Sequence, residues 1–141
     1  MTTEQTTPTQ FITNMLDELF QLTEHNSVVL YLNDCHLTTL PSTIGNFVHA
    51  ESLHLENNEL TTLPPEIGNL TNLKKLYLGG NPLKQIPREM KKLIHLEELY
   101  LDTQQLMTLP TEDDSIIHPS VCVYKDIKTK TSEFNNPNHI C

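Results

Sequence analysis

Residues 27–118 fall into four consecutive units of 23 residues, and no other feature of the chain limits its fold as tightly. The units are 27–49, 50–72, 73–95 and 96–118, and they align without a gap until the last third of the fourth. A unit of this length cannot bury an apolar face alone, so successive copies must stack and share one elongated core. The second copy, AESLHLENNELTTLPPEIGNLTN, carries the pattern in full: Leu53, Leu55, Leu60, Leu63, Ile67 and Leu70, with Asn58, Pro64 and Gly68 between them. The fourth departs most, with Glu112, Asp113 and Asp114 where the first two units hold an isoleucine and a glycine.

The alternation that opens each unit reads as a short strand whose leucines, two apart, face inward while the intervening residues face out. The inward pairs are Leu30 with Leu32, Leu53 with Leu55, Leu76 with Leu78, and Leu99 with Leu101. Leu37, Leu60, Leu83 and Leu106 follow the turn and point back into the same core. Pro41, Pro64, Pro87 and Pro110 then end regular hydrogen bonding on the return path. Asn58 and Asn81 use their amides to satisfy buried backbone at the turn, and Cys35 and Gln104 stand at that site in the outer units.

This pattern, LxxLxLxxNxLxxLPxxIGxLxx, resembles the intracellular, Ras-suppressor-like class of leucine-rich repeats, which also occurs in bacterial effector proteins. The resemblance covers 92 of the 141 residues. It implies an α/β solenoid, with a short curved parallel sheet on the concave face and an irregular or 3-10 convex side. It also implies a non-catalytic protein-interaction module in the cytoplasm: either an effector acting in a host cell, secreted there by a non-Sec route, or an endogenous scaffold or Ras-pathway adaptor.

The flanks read as ends of the solenoid. In residues 1–26, Phe11, Ile12, Met15, Leu16, Leu19 and Phe20 recur at helical spacing behind Thr9 as N-cap, which predicts an N-terminal capping helix over the first strand's edge and open core. Its polar face, with Asp17, Glu18 and Glu24 and no basic residue, disfavours anionic lipid. In residues 119–141, Cys122 and Tyr124 take the two inward positions of a closing strand, and a polar tail follows that is compatible with a secretion address.

Several function classes are disfavoured. A net charge of -9, with Arg88 the only arginine, opposes nucleic-acid binding. No apolar run approaches the roughly 18 residues of a membrane span, and the first residues lack the basic and apolar regions of a signal peptide. Three unclustered cysteines, Cys35, Cys122 and Cys141, point to a reducing compartment; a monomer is expected, and no cofactor is read from the sequence. No phosphate-binding loop, nucleophile elbow or zinc motif is present. His49, His95 and His118 share a repeat position that Asn72 fills in the second unit, so only His95 and His118 could share a ligand; a third is lacking and no metal site is read.

The repeat arithmetic leaves one constellation. Tyr31, His54, Tyr77 and Tyr100 stand between the inward leucines and form an outward aromatic stripe on the concave face. Beside it come Asn33, Glu56, Gly79 and Asp102, then Asp34, Asn57, Gly80 and Thr103. On the other flank Lys74 and Lys75 lie between acidic neighbours and pair with them. The stripe, the carboxylates of Glu56 and Asp102, and a notch at Gly79 and Gly80 suit a protein partner that presents arginine or lysine, through cation–π and ionic contacts. An enzyme using His54 with Glu56 or Asp102 is the remote alternative, since nothing supplies a nucleophile.

Overall fold

The computed structural model describes residues 7–22, 28–108 and 122–125. Five strands, β1 (Val28–Tyr31), β2 (Ala50–His54), β3 (Lys75–Tyr77), β4 (Glu98–Leu101) and β5 (Cys122–Lys125), form one parallel sheet in sequence order. Apart from a shift at the start of β1, where Val28 pairs with Ala50, the register repeats every 23 residues through the first four strands, with Leu53 opposite Leu76 and Leu76 opposite Leu99. Each inward leucine therefore meets its equivalents above and below, and Leu30, Leu53, Leu76 and Leu99 are fully buried.

After each turn the chain crosses the core and enters a 3-10 helix: Ser42–Asn46, Pro65–Asn69 and Arg88–Lys92. Each starts behind a proline in extended conformation, Pro41, Pro64 or Pro87, whose fixed φ aims the return path. The glycine in the first two helices answers to the next unit. A Cβ on Gly68 would lie 2.6 Å from the carbonyl oxygen of Glu89. The equivalent third position is Lys91, and no fourth 3-10 helix follows among the described residues.

The turn after each strand needs a left-handed residue, which the repeat supplies three times: Asp34 at φ 57°, Asn57 at φ 57° and Gly80 at φ 76°. Asp, Asn and Gly are the residues that tolerate this conformation, and the fourth unit offers Thr103, whose branched Cβ does not. The chain turns instead into a short helix, α2 (Thr103–Thr108), following the N-terminal helix α1 (Pro8–Leu22). Asp102 and Gln105 close a capping box on α2: Asp102 Oδ1 accepts the Gln105 N–H at 2.8 Å, and Gln105 Oε1 accepts the Asp102 N–H at 2.9 Å.

The polar ladder beneath the turns follows. Asn58 accepts from the N–H groups of Cys35 and Leu37 and donates to the carbonyls of Leu32 and Leu55. Asn81 accepts from Leu60 and donates to Leu55 and Leu78. In the fourth unit this role belongs to Gln105 rather than Gln104: Gln105 is 2% exposed and donates to Leu78 and Asn81, because α2 rotates Gln104 outward. Cys35 is buried and disulfide-bonded.

The ends also differ from the sequence reading. Thr7, not Thr9, caps α1, its hydroxyl accepting the Gln10 N–H at 3.1 Å with Pro8 at the first helical position. Ile12 and Leu16 enter the core and α1 packs on the 3-10 helix Ser42–Asn46, while Phe11 and Phe20 stay exposed, Phe20 meeting Phe47 edge to face. At the far end, β5 aligns Val123 with Leu99 and Tyr124 with Tyr100. Cys122 and Tyr124 therefore do not hold the inward register, because 24 residues rather than 23 separate Tyr100 from its partner. The remainder of the predicted tail lies outside the described residues.

Candidate functional site

Strand register alone builds the aromatic stripe. Tyr31 aligns with His54, His54 with Tyr77, and Tyr77 with Tyr100. Adjacent parallel strands are about 4.8 Å apart, close to the distance at which aromatic rings stack. The rings do stack: Tyr31 and His54 have centroids 4.6 Å apart, His54 and Tyr77 4.1 Å, and Tyr77 and Tyr100 4.2 Å, the last two pairs within 9° of parallel. All four are half-buried. The register position of Tyr124 continues the column, so all four tyrosines of the chain fall in it.

Stacking decides what the stripe presents. Inner ring faces are covered by neighbouring rings, so the electron-rich surfaces that hold a cation are spent within the ladder, and the outward parts are ring edges and polar atoms. The cation–π contact read from the sequence is thus closed along the middle of the stripe.

The flanks are pre-engaged. Lys74 pairs with Glu51 at 3.8 Å and Lys75 with Glu98 at 3.7 Å, as the column arithmetic required. Glu98 also accepts the Tyr100 hydroxyl at 2.5 Å, and the Tyr77 and Tyr100 hydroxyls interact in turn. The Glu98 contact and burial push the Tyr100 phenol well above its ordinary pKa, and burial first of all raises that of Tyr77.

The acidic border is not the row of open carboxylates that the sequence suggested. Asp102 places Oδ2 2.7 Å from the Gly80 N–H, replacing the backbone carbonyl that serves Asp34 and Asn57 in the earlier units. Glu56 is only 7% exposed and binds His54 Nδ1 through Oε1 at 3.1 Å. Asn33 and Gly79 are buried as well. Gly80 stays exposed, but Asn57 packs close beside it, since a Cβ there would come 2.3 Å from Asn57 Oδ1. Among the described residues no three His, Cys, Asp or Glu side chains converge as a metal site would require, and no helix is long and apolar enough to cross a membrane.

Parallel strands on one face, 3-10 helices on the other and a buried asparagine ladder between them define a leucine-rich-repeat solenoid. The chain belongs to the leucine-rich repeat family: the family model matches residues 26–83 and 48–106, together more than half of the sequence. Among solved structures, a leucine-rich-repeat protein of Leptospira interrogans, LIC12759, is similar at 35% identity and a TM-score of 0.57. The match covers 75% of this chain and 26% of that protein, so the chain spans about a quarter of its length. No curated protein sequence matches. Repeats of this family serve as protein-interaction modules.

Proposed function

We propose that the chain is a non-catalytic module that docks a protein partner, presenting arginine or lysine, on its concave face. One observation carries this reading: four aromatic side chains, pre-stacked and half-exposed, run unbroken across the sheet. A surface already ordered loses little side-chain entropy on binding, and tyrosine provides large contact area with a polar tip. The net charge of -9 favours a basic partner through long-range steering. The same reading takes the chain as an effector acting in a host cell, with an endogenous scaffold or Ras-pathway adaptor as the alternative; a reporter fusion that never enters host cytoplasm during infection would remove the effector.

The test uses the full chain as bait against host and self lysates. Replacing Tyr77 and Tyr100 together by alanine should cost captured partner more than about 2 kcal/mol of affinity, whereas charge reversal at the exposed convex Lys91 and Lys92 should leave it unchanged. The opposite pattern would move the site to the convex side.

A further inference from the structure

Within the stripe His54 differs from its neighbours in one decisive respect: behind it lies a buried carboxylate. The Glu56 side chain is 9% exposed, with Oε1 3.1 Å from His54 Nδ1. Its Oε2 is buried without a hydrogen-bond partner among the described residues. Among the described residues the imidazole is therefore the one hydrogen-bonding group this carboxylate has, and rotating the ring away would strand a buried acid. Tyr31 and Tyr77 close on both ring faces, at 4.6 and 4.1 Å, so the ring is also held in plane.

A carboxylate can only accept, so Nδ1 must carry the proton in the neutral ring, and Nε2 is left as the acceptor. The His54 side chain keeps 19% of its surface exposed, and Glu56 is its only hydrogen-bond partner among the described residues. The carboxylate thus fixes the tautomer and turns the outer nitrogen toward the open face, as carboxylates do for histidines that they orient toward a ligand.

Resting on the concave-face reading above, we propose that His54 Nε2 is the acceptor on this face that receives an N–H of the partner's arginine side chain. This contact supplies what the covered ring faces do not. Phenol edges carry the positive end of the ring quadrupole and give a cation no hold, while a polarised imidazole lone pair does. The guanidinium meets it with a fixed fork of donors, and the net charge of -9 favours its approach.

Two measurements on the full chain test the proposal. Long-range proton–nitrogen NMR of histidine-labelled protein at pH 8, above the ordinary range of histidine titration, should show His54 protonated at Nδ1 and bare at Nε2. A bare side chain favours the opposite tautomer, so a proton on Nε2 would overturn the assignment. Titration with N-acetyl-arginine methylamide should then shift the Nε2 resonance and bind about threefold more tightly than the citrulline analogue, which keeps the shape without the charge. His54→Phe, made together with Glu56→Gln so that the stack is kept and no buried charge is stranded, should erase that preference; equal binding of the two compounds, or a preference that survives this pair of changes, refutes the contact. With captured partner, loss in the Tyr77→Ala, Tyr100→Ala variant but not in the His54→Phe, Glu56→Gln variant would defeat this inference and leave the concave-face reading standing. Insensitivity to both would end both.

Discussion

Asn58 holds four backbone groups from two adjacent units, two N–H donors and two carbonyls, with a single amide. Alanine would leave those groups buried and unpaired, so Asn58→Ala should destabilise by about 3 kcal/mol or more, read from urea unfolding. Tyr77 and Tyr100 yield a second outcome at this scale. Both phenols have raised pKa values in the fold, so the folded chain retains protons that the unfolded chain has lost. Their contribution to stability is complete below the ordinary tyrosine value of about 10 and declines as pH rises from there toward the folded values. Tyrosinate absorbance should develop late for these two side chains, and Glu98→Gln should bring Tyr100 back toward the ordinary value. Loss of the Tyr77 and Tyr100 protons at the ordinary value of about 10 would contradict this account.

At the scale of the element, the fourth turn shows what repeat arithmetic captures and what it misses. Strand positions, inward leucines, prolines and lysine pairs all follow from a period of 23, because a parallel ladder copies register from one strand to the next. Conformation at a single residue does not copy. Thr103 occupies the column of Asp34, Asn57 and Gly80 but is branched at Cβ, and that change converts a turn into α2, moves the ladder from Gln104 to Gln105 and draws Asp102 away from the open surface. The signal was present as Asp102-Thr103-Gln104-Gln105, a capping-box spacing hidden by the alignment. Burial of Glu56 had no such signal, since alternation places it outward and only the three-dimensional turn encloses it. Asp102→Ala removes both the α2 cap and the acceptor for Gly80, and should cost about 2 kcal/mol, with circular dichroism reporting little change because α2 is short. Asp102→Asn, which keeps an acceptor, should recover most of that loss.

Across the whole molecule, each unit touches only its neighbours, so stability is a chain of interfaces rather than one centre. Leu76 is fully buried in β3, the middle strand, between Leu53 and Leu99. Leu76→Ala leaves a cavity shared by two interfaces and should cost about 2–5 kcal/mol. Its position gives a further consequence. Weakening the central coupling lets the two halves open separately, so the urea transition should broaden and hydrogen exchange should speed in β1 to β4 alike. Ile12→Ala, by contrast, acts only where α1 meets the first 3-10 helix, and its exchange effect should fade beyond the first unit. Equal, chain-wide acceleration in both variants would show a single cooperative core and contradict the stacked-interface view.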